Sequence, residues 1–267
     1  MISNIKITVL TENTTENENL IAEHGLSLYI ETEKHKILFD MGQTAAFAEN
    51  ARKLGVDLAA VDVAVLSHGH YDHGGGIEKF LEINKKASVF MSKNAFGKHY
   101  NGSEKYIGLD KSLQGTERLA FVEDELVIDE ELSLHSCNLL PRKYPTNPYG
   151  LGIERDGVIQ PDDFLHEQYL LINKNGRKIL FSGCSHKGLL NIAEWFKPDV
   201  FIGGFHLSKL DPGTDDRKVL DETAEILMKN NTMYYTAHCT GVEQYDYLKR
   251  IMGGRLEYIS TGLVQIV

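Results

Sequence analysis

Residues 67–76 read Ser67-His68-Gly69-His70-Tyr71-Asp72-His73-Gly74-Gly75-Gly76, and no other stretch says as much about the chain. His68, His70, Asp72 and His73 are four side chains able to bind a transition metal, and they fall within six positions. Neutral imidazole and carboxylate suit zinc, iron or manganese, with bonds near ~2 Å. In an extended segment, side chains at i, i+2 and i+4 share one side, so His68, His70 and Asp72 converge. His73 then points the opposite way, toward a second metal. Glycines at 69 and 74–76 let the backbone bend tightly round an ion. A solvated histidine-rich turn has no need of such dense ligand chemistry.

Working outward, Asn4–Leu10, Leu26–Glu31 (with Leu26, Leu28 and Ile30 alternating) and Lys36–Asp40 read as strands, and polar Thr11–Asn19 as a loop. Thr44–Leu54 reads as a helix with Phe47, Ala51 and Leu54 on one face and Gly55 as its cap. The short run Val61–Leu66 leads into the ligand cluster, and Ile77–Ile83 starts a helix behind the glycines. The same order of strand, ligand-bearing loop and helix recurs later. Tyr169–Ile172 and Lys178–Phe181 form a hairpin around Asn175-Gly176, a strong two-residue turn signal. The second of these strands runs into Gly183-Cys184-Ser185-His186, followed by a helix over Leu189–Phe196. Asp199–Gly203 is a strand ending at Phe205-His206. Asp215–Lys229 is a helix with Val219, Leu220, Thr223, Ile226 and Leu227 on its apolar side. Thr232–Ala237 delivers His238 ahead of a helix over Val242–Met252.

Sites in layered α/β folds gather where strand ends feed loops, so this placement argues independently for one composite site. Residues 92–165 hold Pro141, Pro145, Pro148 and four glycines between 97 and 115, and read as insertions and irregular loops over that site. No linker stands out, and a single domain over 1–267 is expected.

Hydrophobic content of 42% and charged content of 25% are ordinary for a soluble globular protein. A net charge of -10 with dispersed acidic residues argues against a nucleic-acid partner. No apolar run approaches a membrane span, and Met-Ile-Ser-Asn-Ile-Lys lacks a secretory apolar region. Cys137, Cys184 and Cys239 are too few and too irregular for a disulfide framework. A cytoplasmic protein acting on a small-molecule substrate is expected.

Ser-His-Gly-His-Tyr-Asp-His resembles the His-x-His-x-Asp-His signature of the metallo-β-lactamase superfamily. Leu38-Phe39-Asp40-Met41-Gly42 upstream and a late histidine at 238 follow the superfamily's order. The resemblance covers nearly the whole chain and implies an α/β fold, the four-layer αββα sandwich. Further stretches resemble the branch of dihydropterin ribofuranosyl-aminobenzene phosphate synthase-like proteins. They are Phe164 with Glu167-Gln168, Ser182-Gly183-Cys184-Ser185-His186-Lys187-Gly188, Gly203-Gly204-Phe205-His206-Leu207 and His238-Cys239-Thr240-Gly241.

By the superfamily pattern His68 and His70 bind a first metal, while Asp72, His73 and His238 bind a second. Asp40 matches an early aspartate that supports the site through hydrogen bonds, a normal way to orient a histidine ligand. Two departures stand out. Where many members carry a bridging aspartate this chain has Cys184, whose thiolate changes charge and softness, with His186 two residues on. The superfamily's middle histidine is either His166 or His186, and the setting of His186 makes it the stronger ligand candidate. His206, beside glycines at a strand end, is a candidate ligand, substrate contact or proton donor. His24, His35, His99 and His135 have no motif around them and read as structural or solvated. Cys239 follows His238 and faces away from it if the segment is extended. Arg142, Lys143 and Tyr144 lie between prolines, facing either an anionic substrate or solvent.

The expected cofactor is one or two divalent transition metals, zinc first and iron or manganese as alternatives. A metal pair lowers the pKa of a bound water toward ~7 and polarises a carbonyl or phosphoryl oxygen. The chain then reads as a hydrolase using metal-bound hydroxide on an ester, amide, lactone or phosphoester. Asp72 holds the water, and His206 or Tyr144 donates a proton to the leaving group. One alternative is a pterin-type synthase joining two substrates with loss of an anionic group. Another, of a different class, is a metal sensor or di-iron redox protein.

Overall fold

A computed structural model describes residues 4–267. The backbone gathers into two compact units, Met1–Glu123 with Gly150–Gln168 and Ser260–Val267, and Asp124–Tyr149 with Tyr169–Ile259.

The first unit is built on a seven-stranded sheet in the order Val264–Ile266, Lys6–Thr11, Ser27–Glu31, Lys36–Phe39, Val63–Val65, Ser88–Ser92 and Leu119–Val122. Pairing is antiparallel up to Lys36–Phe39 and parallel from there on. Parallel neighbours need crossovers, and the helices Ala46–Lys53 and Ile77–Ile83 supply two of them. Phe47 and Ala51 of the first and Ile77 and Phe80 of the second are buried with Leu38, Ala64, Val89 and Met91 of the sheet. Truncating either phenylalanine to alanine would cost about 3–5 kcal/mol. Ser27–Glu31 is buried on both faces, so the alternation at Leu26, Leu28 and Ile30 does not mark a half-exposed strand: Tyr29 between them is buried too.

The second unit repeats the scheme. Its sheet runs Leu256–Tyr258, Met233–Thr236, Val200–Ile202, Arg177–Phe181, Tyr169–Lys174, Leu132–His135 and Glu125–Val127. The first four strands are parallel and the rest antiparallel. Asn175 and Gly176 join the hairpin with φ of 53° and 82°, the positive pair that a two-residue turn of this twist requires. Helices Leu189–Phe196, Arg217–Leu227 and Val242–Met252 make the crossovers. The buried face of Arg217–Leu227 is Leu220, Thr223, Ala224 and Leu227, while Val219 is exposed rather than apolar-side.

Residues 92–165 are not the irregular loops expected. They supply strands of both large sheets, and a third, four-stranded sheet in the order Val158–Pro161, Leu151–Arg155, Lys98–Asn101 and Lys105–Tyr106. Asp156-Gly157, at φ 51° and 79°, closes one of its hairpins just as Asn175-Gly176 closes the other unit's. Short strands with exposed residues carry little hydrophobic alternation, so the turn was the legible signal. No helix among the described residues is long and apolar enough to cross a membrane.

Candidate metal centre

In the first unit, the buried strand Val63–Val65 ends at Leu66-Ser67, and the signature follows. His70 is extended (φ −98°, ψ 147°), but Tyr71–Gly74 is a helical turn. The extended geometry expected for 68–73 therefore stops at His70, and His73 does not point away from His68. Their ring centroids are 4.1 Å apart, and His68 and His70 are 4.6 Å apart. Asp72 lies with its Oδ2 3.9 Å from His73 Nε2 and 3.2 Å from Nε2 of His24, a residue with no motif around it to place it here. Gly69 admits no side chain, because a Cβ there would run into the Ala95 carbonyl.

Asp40 organises this segment. Its Oδ1 accepts from Ser67 N–H (2.7 Å) and its Oδ2 from the Ser67 hydroxyl (2.7 Å) and His73 Nδ1 (2.6 Å). The Ser67 hydroxyl has spent its one proton on Asp40, so at 2.8 Å from His68 Nδ1 it must accept. His68 and His73 both turn Nδ1 to a buried hydrogen-bond partner, so Nε2 is the nitrogen each can offer as a ligand. Asp40 thus ties His73 to Ser67 through hydrogen bonds, and the part played by Ser67 was missed, although it opens the signature. All four of these side chains are buried.

His70 stands in a second cluster. Donor atoms of His70, His99, Asp162 and His166, all buried, lie within 4.8 Å of one another. Asp162 Oδ2 accepts from His99 Nδ1 at 2.7 Å and faces His166 Nε2 at 3.4 Å, while Oδ1 accepts from Phe164 N–H at 2.7 Å. His166 Nδ1 accepts from Gly69 N–H at 2.9 Å. Burial pushes the Asp162 carboxyl up, but hydrogen bonds from His166 and His99 outweigh it and hold the pKa well below the usual carboxylate range. His70 is pushed well below its ordinary value, by burial first and then by His166 and His99. It is neutral, as a ligand must be. His99 and Asp162 come from the four-stranded sheet and the residue just past it, so neither was legible as a partner of the signature.

In the second unit the candidates again sit past the carboxyl ends of parallel strands, as at Asp40 and Ser67. Cys184 and His186 follow Arg177–Phe181, His206 follows Val200–Ile202, and His238 follows Met233–Thr236. Ser185, His206 and His238 all hold positive φ (59°, 55° and 53°), as does Asp40 (58°). Each such non-glycine residue costs on the order of 1–2 kcal/mol, and such strain concentrates at functional sites. The His186 and His206 rings meet edge-on at 4.3 Å. His238–Thr240 is a tight helical turn, so Cys239 does not follow the extended expectation: its Sγ lies 3.5 Å from the Cys184 carbonyl oxygen. Burial pushes the Cys239 thiol up, yet the Cys184 and His206 side chains, with His238 nearby, bring it well below the usual thiol range.

Beside His186 and His206 opens a recess of about 170 Å³, walled by Tyr144, Tyr149, Phe205 and Leu207. Asn191 pins the Tyr144 loop by accepting from its N–H (2.7 Å) and donating to its carbonyl (2.9 Å). Of the cationic pair next to Tyr144, Lys143 is exposed, with its ammonium 3.7 Å from Glu194 and over the Tyr144 ring. Lys187 is buried, donating to the Ser136 carbonyl at 2.6 Å beneath the Tyr169 ring.

The donors fit a divalent transition metal. His68 and His73 present Nε2 lone pairs, His70 is neutral, and carboxylate, thiol and further imidazoles stand at neighbouring strand ends of each sheet.

Comparison with known proteins agrees. The family model for the metallo-β-lactamase superfamily matches residues 21–227. Two proteins of Methanocaldococcus jannaschii are each 30% identical. One, an uncharacterized protein, is matched over 92% of this chain and 94% of its own length. The other is named 7,8-dihydropterin-6-methyl-4-(β-D-ribofuranosyl)-aminobenzene-5'-phosphate synthase and is matched over 90% and 89%. Among solved structures, one described as a metal-dependent hydrolase of the β-lactamase superfamily aligns with TM-score 0.78 and 30% identity, over 98% of this chain and 99% of its own. The metallo-β-lactamase fold protein YhfI from Bacillus subtilis aligns with TM-score 0.61 at 13% identity, over 99% and 100%, and so shares the fold. The mixed α/β architecture expected of the chain is the architecture of these neighbours. With its histidine signature on the matched segment, the chain belongs to the metallo-β-lactamase superfamily.

Proposed function

We propose that this protein is a metal-dependent hydrolase of small-molecule esters, amides, lactones or phosphoesters, with zinc as the first-choice metal. The observation that carries this reading is the Asp40–Ser67 arrangement, which engages Nδ1 of both His68 and His73 and so supports Nε2 as the ligating nitrogen of each. His68, His70, Asp72 and His73 are the ligands this reading assigns in the first unit, and Cys184, His186 and His238 those in the second. A bound divalent metal supplies Lewis acidity and a water acidic enough to ionise near neutral pH.

The chain's own groups do the rest. Asp72, beside His73, accepts a hydrogen bond from the attacking water and holds it in line. Within the second unit, His206 stands against His186 on the wall of the recess and is that unit's candidate proton donor. The recess itself, with two tyrosines and Phe205, suits an aromatic or apolar portion of the substrate. The test is hydrolysis of a panel of aryl esters, lactones and phosphodiesters by protein titrated with zinc, manganese or iron. Turnover that follows metal content and disappears in His68→Ala supports the reading, and no turnover with any metal counts against it.

A second reading is favoured by the synthase of M. jannaschii, 30% identical over most of both chains. Here the same residues would stabilise a departing anion while two substrates are joined. A product assay separates the two: a hydrolase consumes a single organic substrate, whereas a synthase is silent until both partners are present.

A further inference from the structure

We infer that the four-stranded sheet carries a ligand site of its own, a pocket of about 290 Å³ that takes a small hydroxy anion, with the hydroxyl donating to His99 Nε2 and the carboxylate or phosphate resting on Arg155. The site goes beyond the hydrolase reading and holds whether or not a metal is bound. The register of the sheet builds it. His99 lies directly opposite Ile153 in the antiparallel pair, and Arg155 follows two residues on, on the same face. All three line the pocket, together with Phe96, Gly97 and Leu165.

The floor of the pocket is an unmet acceptor. Asp162 Oδ2 lies 2.7 Å from His99 Nδ1, and the carboxyl is held well below its usual range by its hydrogen bonds, so it accepts the Nδ1 proton and leaves His99 Nε2 as a lone pair. His99 is fully buried, and among the described residues its Nε2 has no hydrogen-bond partner. A buried acceptor left unmet is costly and calls for a donor. Gly97 keeps the approach to it open: a Cβ there would stand 2.7 Å from Nε2 and 2.9 Å from Cε1 of His99.

The rest of the lining selects the charge. Among the described residues that line the pocket none is acidic, in a chain of net charge -10, while Arg155 and Lys93, the latter paired with Glu123, both stand at it. Arg155 meets both oxygens of Asp163 through Nη2 alone, at 2.8 Å each, and so keeps Nη1 and Nε for another oxyanion. Phe96, Ile153 and Leu165 offer carbon surface between the two polar ends. A neutral polyol would leave Arg155 unused, and a simple carboxylate would leave His99 Nε2 unmet. One molecule carrying both groups answers both, and two strand residues rise about 7 Å, within reach of a three-carbon compound.

The experiment titrates glycerate and glycerol 3-phosphate, a carboxylate and a phosphate source of the same chemistry, into zinc-treated and chelator-stripped protein by calorimetry. Acetate and glycerol serve as controls that carry one group each. At least one of the two hydroxy anions should bind about 10-fold or more tightly than either control, and equally in the two protein preparations. Gly97→Ala, which sets a methyl group against His99 Nε2 and changes no charge, should weaken that binding by about 10-fold or more. Arg155→Gln should weaken it by about 2–5-fold, since Arg155 is exposed. Four results would overturn the inference: no binding of either hydroxy anion to the wild type, equal binding of acetate or glycerol, an affinity unchanged in either variant, or binding that vanishes on chelation, which would put the ligand on the metal instead. A wild type that takes up no zinc would defeat the hydrolase reading and leave this outcome to stand by itself.

Discussion

Replacing Asp40 by asparagine should weaken metal binding far more than it disturbs the fold. Asp40 sits at φ 58°, and asparagine tolerates the left-handed region better than other substitutes, so the backbone keeps its course. The carboxylate is buried and accepts three hydrogen bonds, two at Oδ2 and one at Oδ1. An amide offers one oxygen and one NH2. If the NH2 takes the Oδ2 position, it confronts His73 Nδ1–H, and the proton must move to Nε2, the nitrogen meant for the metal. If it takes the Oδ1 position, it confronts Ser67 N–H and leaves a buried donor unpaired, at about 1–3 kcal/mol. The first outcome turns a ligand into a non-ligand until the tautomer is forced back. Losing such an orienting partner typically costs 10–100-fold in metal affinity, or about 1.4–2.8 kcal/mol. Zinc competition against a chromophoric chelator measures the affinity, and urea unfolding of the metal-free protein measures the stability. An Asp40→Asn protein that binds zinc as wild type does would refute the tautomer argument at the heart of the site.

The metal-free protein should lose stability on acidification in two stages. His70 is held below its ordinary pKa, so the unfolded chain binds its proton first and stability falls as pH drops below about 6.5, approaching ~1.4 kcal/mol per pH unit for this one proton. Asp162 is likewise depressed, so its contribution is present above about 3.9 and is lost below it. Urea unfolding across this range should show His70→Asn flattening the upper limb and Asp162→Asn the lower, and unchanged limbs in both would contradict the assignments. Gly69→Ala should destabilise by about 2–4 kcal/mol, because the Ala95 carbonyl occupies the space a Cβ needs, and a neutral effect on thermal unfolding would argue against that close approach. Cys184 is buried and free of any disulfide. If it is a metal-bound thiolate, residue-resolved mass spectrometry should find it protected from iodoacetamide with metal present and alkylated after chelation, with Cys184→Ser losing chiefly one metal. Equal labelling in both states would make it a bystander.

Much of this was legible beforehand, for reasons that particular residues make plain. The helices Ile77–Ile83, Leu189–Phe196 and Val242–Met252 fall where the spacing of their apolar residues places them, since a crossover helix over a parallel sheet needs a well-marked buried face. The hairpin at Asn175-Gly176 was fixed by turn chemistry. Two kinds of feature were not legible. The histidine signature switches from extended to helical at Tyr71, and no periodicity survives such a switch, so the sidedness assigned to Asp72 and His73 followed the wrong repeat. His99 and Asp162 are 63 residues apart and meet through the pairing of short, polar strands, information that resides in the tertiary fold. The Asp156-Gly157 turn was available in the sequence and would have revealed one of those hairpins.

The most direct measurement is elemental analysis of the protein purified without added metal, combined with anomalous scattering from its crystals at the absorption edge of whatever element is found. The account predicts at least one tightly held transition metal per chain, zinc before iron or manganese, with anomalous density against the Nε2 atoms of His68 and His73. It also predicts loss of that metal from a folded His68→Ala/His70→Ala protein. A wild-type chain that retains no metal after purification and takes up none on titration, or a double variant that retains its metal in full, would contradict it.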